Sequence, residues 1–427
     1  MKIVVIGAGS QSFGRGQVAD ALRAPELKGR GVTLALVDED PAALQTMTSL
    51  AERIKQHVGT DITIEAATDR TDLLGGADYV ITAVARRRWE LWEQDFRIPL
   101  AYGMRHCLGE NGGPGALFHA LRSFELIVPI CRDIERLCPD ALLLNFTNPE
   151  ARVLHAVLHL TKVRAVGLCH GVHEALDRIC RYLGRPLEEL DVVSAGMNHF
   201  FCILRAVDRT TGQDRLGDLV ERARSDDLAP PLFRRMAEVF GVFTFPSDDH
   251  IGEYLPFGAE FTGVKWRYGQ ESRPVAGSQK ESVGLEEYAS GRRPLDEAVL
   301  GPSGESAVPI ICDIELDRKA RRPAVNVRNG EPYIENLPRD GVVEVPAIVD
   351  ASGVHPQKVG ALPEPFAALI RTQFSIIALL TEAYRTRSKR LLLQALLLDP
   401  TVHSVAAAEA MLDDMLELQK AYLPEFS

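Results

Sequence analysis

The sequence predicts an α/β protein: a Rossmann-type, doubly wound parallel sheet followed by a second, mixed α+β domain. Three observations carry that expectation. Short aliphatic runs alternate with helix-length segments through roughly the first two hundred residues. The first run turns straight into a glycine-rich loop, and past Gly196 proline and glycine break the pattern into irregular pieces.

Taken in order, the runs are "KIVVIG" (2–7), "TLALVD" (33–38), "DITIEAATD" (61–69), "DYVITAV" (78–84), "ALLLNFTNP" (141–149) and "RAVGLC" (164–169). Each is short and rich in β-branched and aliphatic residues, as strands buried on both faces of a parallel sheet must be. They place a nucleotide-binding domain over 1–195. The remainder, 196–427, reads as a substrate, metal-site and oligomerisation domain. There proline and glycine cluster at 229–231, 252–258 and 301–309, strands look irregular, and helical stretches such as 218–228 dominate. The stretch 365–399 carries apolar positions at helical spacing and predicts a core helix pair, or one packed against another subunit of a homodimer or homotetramer. Residues 278–294, "SQKESVGLEEYASGRRP", are expected to be mobile.

With 427 residues, 46% of them hydrophobic and 25% charged, the chain has material for two or three compact units. The formal charge of −11 is spread along the chain, which argues against a nucleic-acid partner and against an anionic membrane surface. A small diffusible substrate fits better. Met1 runs directly into the first strand, leaving no room for a secretory signal, and no apolar run approaches the ~20 residues of a membrane span. Seven cysteines, odd in number and without disulfide-module spacing, suit a reducing cytoplasm.

The loop after the first strand is "GAGSQSFG". Gly7 permits the tight turn, Gly9 lets backbone approach a pyrophosphate, and a helix beginning near Ser12 directs its N–H groups at the anion. Ser12 stands where the third glycine of G-x-G-x-x-G is usual, so the fingerprint is imperfect. The expected cofactor contacts are Gly7, Gly9, Ser10, Gln11 and Ser12, with Asp38 ending the second strand as the ribose acceptor that favours NAD over NADP.

"LLLNFTNP" ends a strand at the carboxyl edge of the sheet, where ligands of open α/β sheets lie. Asn148 there can bind sugar-like hydroxyls, or simply hold a strand-ending turn. Two further pairs follow, "LCHG" and "MNHF". Cys169 ends a strand, and His199 sits about thirty residues on. A buried cysteine or histidine is more often plain core, but thiolate plus imidazole beside a nucleotide is a borderline-soft pair that leaves most of a metal's shell open. "FPSDDHIGEYLPF" (245–257) concentrates Asp248, Asp249, His250, Glu253 and Tyr254 in what reads as an acidic loop. "RRRW" (86–89) is a charge run that is either solvated or able to contact a pyrophosphate or a substrate carboxylate.

Together with "VVEVPAIVDASGVHP" (342–356), these motifs resemble the NAD- and metal-dependent glycosidases of glycoside hydrolase family 4, in the same order from residue 1 to about 400. The resemblance implies that Cys169 and His199 bind a divalent cation, usually Mn²⁺, and that Asn148 and Asn198 contact sugar hydroxyls. In such enzymes the residue after the metal-binding cysteine is Asn or Asp when the sugar is 6-phosphorylated, and His when it is an unphosphorylated α-glucoside, α-galactoside or α-uronide. Here it is His170. Asp249 best matches the family's base, with Asp248 one register away, and His170 is the candidate acid.

The chemistry accounts for the mixture of groups. Direct hydrolysis needs only two carboxylates. Oxidation at C3 by NAD makes the C2 proton acidic, a metal assists as a Lewis acid, and elimination followed by water addition completes the cycle. Cys-His-Gly and the basic run make an α-glucuronide one candidate substrate. The competing class is an NAD-dependent 2-hydroxyacid dehydrogenase of lactate/malate type, which shares the nucleotide loop and "TNP" but does not need Cys169. A non-catalytic NAD-binding sensor would explain none of the residues at the sheet edge.

Overall fold

A computed structural model describes residues 1–10, 13–268 and 284–427. Six strands match the six runs: β1 (Lys2–Ile6), β2 (Thr33–Val37), β3 (Thr63–Ala67), β4 (Tyr79–Thr82), β5 (Leu142–Asn145) and β6 (Arg164–Gly167). They are parallel, in the order β3-β2-β1-β4-β5-β6 of a dinucleotide-binding fold. Both faces are covered, as the uninterrupted apolar runs require. Ile3 and Val5 enter one core with Val18 and Leu50, while Val4 and Ile6 enter another with Phe124 and Val157.

The crossovers are α1 (Phe13–Arg23), α2 (Pro41–Val58), α3 (Thr71–Leu74), α4 (Arg88–Ala101), α5 (Gly113–Leu137), α6 (Glu150–Leu160) and α7 (Gly171–Leu183). Local chemistry sets their ends. Asp40 accepts from the N–H groups of Ala42 and Ala43, Pro41 opens α2, and Gly59 closes it in the left-handed conformation (φ 64°).

The expectation of irregular strands beyond Gly196 is corrected. β7 (Leu190–Met197), β8 (Phe200–Asp208), β9 (Ala320–Arg328) and β10 (Val342–Asp350) are strands of eight or nine residues, with one register shift each in the β7–β8 and β9–β10 pairings, and β11 (Gly353–Pro356) is hairpinned onto β10. They extend the same sheet in the order β6-β9-β10-β7-β8 through antiparallel pairings. The expected boundary at 195/196 therefore falls inside β7. β9 and β10 insert between β6 and β7 although they come much later in the chain, a long-range pairing that local periodicity does not reveal. One rung, Gly167–Asn326–Glu344–Gly196, ties the two halves together.

The stretch 365–399 is the expected helix pair, Glu364–Thr386 and Lys389–Leu397. The first is long and apolar enough to cross a membrane by length and composition, which no unbroken apolar run in the sequence foretold. Of its most apolar window 56% is buried, with Ile376, Ile377 and Leu380 inside the cores. Of the stretch expected to be mobile, 278–283 lies outside the described residues, and Leu285–Ser290 is a helix whose Tyr288 is fully buried. All seven cysteines are unpaired.

Candidate active site

A cleft of about 1690 Å³ opens at the carboxyl ends of β1, β2, β4 and β5. Gly7, Gly9, Ser10 and Asp38 line it; the other two expected cofactor contacts, Gln11 and Ser12, lie outside the described residues. Gly7 adopts φ +87°, and a Cβ there would stand 2.4 Å from the Ala83 carbonyl oxygen, so only glycine fits the turn. Gly9 donates its N–H to Asp38 Oδ2 at 2.8 Å, which fixes the carboxylate beside the loop. The helix–strand approach expected of a third glycine belongs to Gly14, where a Cβ would lie 2.2 Å from the Ala8 carbonyl oxygen. That shift of two residues is why the fingerprint reads as imperfect.

The two pairs that the sequence singled out meet in space. Cys169 follows β6, and Asn198 and His199 form the turn between β7 and β8, at opposite ends of the rung that joins the halves. Cys169 Sγ and His199 Nε2 are 3.2 Å apart. His199 holds φ 60°, a left-handed conformation costly for a side chain of its size. Burial pushes its imidazole well below the usual range, so the ring is neutral with a lone pair to offer, whereas burial pushes the Cys169 thiol up. A cation would therefore have to displace the thiol proton. His199 Nδ1 is buried without a partner, and among the described residues no third Cys, His, Asp or Glu joins the pair in a metal-binding group.

Around this pair the amides are held in place. Asn198, buried, donates Nδ2 to Glu344 Oε1 at 3.4 Å, and its side chain also hydrogen-bonds Cys169. Asn148 lines the cleft, donating Nδ2 to Glu110 Oε1 at 3.3 Å while its carbonyl accepts from Ser123 Oγ at 2.6 Å. His170, also in the cleft wall, lies 3.3 Å from Glu305 Oε1 through Nδ1 and 3.7 Å from Glu174 through Nε2. The Glu305 hydrogen bond, helped by both carboxylates' charge and opposed by burial, raises its affinity for a proton.

The acidic segment 245–257 is not a plain loop. It holds α10, Asp248–Gly252, which follows α8 (Leu216–Ser225) and α9 (Pro231–Phe240). Both Asp248 oxygens accept 2.9 Å hydrogen bonds from Leu232 N and Phe233 N, capping α9. Asp249 is held differently: Oδ2 accepts from Tyr268 Oη at 2.9 Å, and Oδ1 lies 3.6 Å from Arg267. His250, the next residue, has its ring 4.4 Å from that of His199. Asp249 is not in the wall of the large cleft, and neither are Cys169, Asn198 and His199.

Glu110 escaped sequence reading, and Glu253 was named there only as part of the acidic segment. Glu110 pairs with Arg88 at 2.7 Å, and its loop is shaped by Glu253, whose Oε1 accepts from the N–H groups of Glu110, Asn111 and Gly112 at 2.6, 2.8 and 3.2 Å. The glycine-rich "GENGGPG" opening α5 was the available signal. The basic run is neither free nor merely solvated: Arg86 meets Glu39 at 2.9 Å, Arg87 pairs with Glu90, and Arg88 with Glu110.

Comparison with known proteins identifies the family and the fold. The model of the family 4 glycosyl hydrolases matches residues 2–184, and that of their C-terminal domain matches 194–402. An α-galactosidase of Rhizobium meliloti (strain 1021) is 32% identical over 100% of this chain and 90% of its own, and an α-glucosidase of Erwinia rhapontici 30% identical over 99% and 98%. The solved 6-phospho-β-glucosidase of Thermotoga maritima with manganese, NAD⁺ and glucose-6-phosphate superposes with a TM-score of 0.83 at 25% identity, covering both chains in full (100% and 100%). By sequence along its whole length and by fold, the chain belongs to the family 4 glycosyl hydrolases.

Proposed function

We propose that the protein hydrolyses an unphosphorylated α-glycoside with bound NAD and Mn²⁺ or a similar divalent cation. The observation that carries this reading is the Cys169–His199 contact at 3.2 Å behind a nucleotide-shaped cleft. A thiol and a neutral imidazole, with no third Cys, His, Asp or Glu grouped about them among the described residues, suit a cation whose other positions go to water and sugar oxygens. Gly7, Gly9, Ser10 and Asp38 suit a dinucleotide, and the Thermotoga relative binds both groups. When bound, NAD accepts and returns hydride at sugar C3 while the cation acidifies the neighbouring C2–H.

The chain's own residues then do the following. Asn148 and Asn198 orient the sugar hydroxyls, their amides pre-set by Glu110 and Glu344. Asp249 takes the C2 proton, its carboxylate held in one rotamer by Tyr268. His170 gives a proton to the departing glycosidic oxygen and is kept supplied by Glu305 and Glu174. Asp248, committed to capping α9, is a poor alternative base.

His170 in place of Asn or Asp supports an unphosphorylated sugar, although the Thermotoga relative is a 6-phospho enzyme. Because Arg86, Arg87 and Arg88 each face an acid already, the basic run is a weaker reason to favour a uronate than the sequence alone made it. α-Glucoside, α-galactoside, α-glucuronide and α-galacturonide, with the 6-phosphates as controls, are therefore arms of one nitrophenyl assay. Preference for a 6-phosphate would refute the role of His170. Turnover in D₂O should place deuterium at C2 of the product, read by proton NMR; product without it removes the elimination route. A cytoplasmic homodimer or homotetramer completes the proposal, its size checked by light scattering.

A further inference from the structure

All three tryptophans of the chain gather in one place. Trp89, Trp92 and Trp266 form a cluster with Tyr268, apart from the three large cores. The rings of Trp89 and Trp92 stack at 5.8 Å, those of Trp92 and Tyr268 at 4.9 Å, and Trp266 meets Trp92 edge-on at 5.3 Å. Arg88 places its guanidinium 5.3 and 5.4 Å from the Trp89 and Trp92 centroids. Trp92 is the buried base of the group, anchored by its indole N–H to the Leu108 carbonyl at 3.0 Å. Trp89, Trp266 and Tyr268 are only partly buried, and Trp89 and Arg88 line the cleft. The fold has its cores elsewhere, so half-exposing so much aromatic surface calls for another reason.

Two links tie the cluster to the candidate chemistry. Tyr268 Oη donates to Asp249, and Arg88 meets Glu110, which accepts from Asn148. We infer that the cluster is a contact platform for the leaving group, its indole faces taking the C–H face of a pyranose ring beyond the scissile bond. The inference rests on the glycosidase reading above. Aromatic faces carry partial negative charge and attract the C–H edges that one side of a pyranose presents. Asn148, Asn198 and the Cys169–His199 pair serve the ring being cleaved, so the ring beyond the bond must lie toward solvent. Trp266 is partly buried and flanked by the exposed Lys265 and Arg267, and Arg267 reaches to 3.6 Å from Asp249.

The test uses the intact protein with maltose and melibiose, against methyl α-D-glucopyranoside and methyl α-D-galactopyranoside, which have the same glycones and no second ring. Trp266→Ala should lower kcat/KM on the disaccharide about tenfold more than on the matching methyl glycoside, and Trp266→Phe should restore most of the loss. Because every tryptophan is in the cluster, emission reports occupancy without turnover. In Cys169→Ser protein, a disaccharide should shift it and the methyl glycosides should not. Equal losses on disaccharide and methyl glycoside would overturn the proposal, placing the platform against the cleaved ring or assigning it to folding alone. So would unchanged emission with a disaccharide that the wild-type protein hydrolyses. If nothing is hydrolysed but a disaccharide still shifts the emission, the platform stands and the glycosidase reading falls.

Discussion

The proposed nucleotide wall of the cleft and the proposed sugar site beside it are built in opposite ways. Gly7, Gly9, Ser10 and Asp38 belong to two consecutive strands and the loops that end them, so a stretch of about forty residues makes most of that wall. The proposed sugar site, partly behind the cleft wall, draws Arg88 from the start of α4, Glu110 from a loop, Asn148 from the end of β5, Cys169 and His170 from beyond β6, His199 from a hairpin and Asp249 from α10. Local sequence can specify the first wall. Only the completed sheet, with β9 and β10 inserted between β6 and β7, assembles the second. The nucleotide wall should accordingly tolerate damage to the sugar wall, and the two should be separable by mutation.

The largest effect expected from that separation is at Cys169 and His199, the proposed metal ligands. Cys169→Ser and His199→Ala should each cut glycoside hydrolysis by about a thousandfold or more, since several kcal/mol of Lewis-acid assistance are lost. NAD affinity, measured by calorimetry, should stay within about threefold, because neither residue is in the cleft wall. Chelation by EDTA should reproduce the loss and added Mn²⁺ reverse it. Full activity after chelation would remove the metal assignment.

Next in size is a pair of neighbours of which the sequence favoured Asp249 over Asp248 as the base. Asp249→Asn should reduce kcat about a hundredfold or more with little change in melting temperature, because it removes the base and keeps the shape. Asp248→Ala should do the reverse, costing about 1 kcal/mol of stability by uncapping α9 while much of the activity survives. Equal activity losses would mean that α10 acts as a unit and that the assignment of the base needs another probe, with Tyr254 as the next candidate.

That pair also marks how far the sequence could be read. The six parallel strands and the glycine turn were legible because β-branched runs and a strand–glycine–helix junction have local causes. Cys169 and His199 were legible as a pair only through their motifs, and their 3.2 Å contact depends on a rung joining residues as far apart as Gly167 and Glu344. Glu110 and Glu253 were not legible in their roles. One accepts from an amide and the other from three backbone N–H groups, and nothing about a glutamate in a sequence announces which donors will surround it.

A smaller effect tests the nucleotide wall itself. Asp38→Ala removes the carboxylate that accepts from Gly9 and is proposed to hold the ribose. Weakening of NAD by about tenfold is expected, from the loss of one charge-assisted hydrogen bond. Saturating NAD should restore kcat, which no change on the sugar side should allow.

The smallest expected effect is on stability, and it lies on the sugar side. Burial, with the nearby Glu110 charge, pushes the Glu253 carboxyl up to about 8, against the three backbone N–H groups that favour its ionised form. Its usual value is 4.5, so between 4.5 and about 8 the folded protein holds a proton that the unfolded chain has released. The stabilising contribution is complete below 4.5 and declines as pH rises through that window. His106 sets the opposite limb. Burial lowers its imidazole from 6.5 to about 4, so the unfolded chain takes up a proton first and stability falls as pH drops from 6.5 toward 4. Melting temperature should therefore fall on both sides of a mildly acidic optimum. Glu253→Gln keeps an acceptor for the three N–H groups but cannot ionise, so it should flatten the alkaline limb above pH 6.5 by a few degrees and steepen the acid limb between 6.5 and 4.5, where the two groups oppose each other. An alkaline limb unaltered by the substitution would show that Glu253 is already ionised in the folded protein. The loop carrying Glu110 would then be held by a charge rather than by a neutral carboxyl.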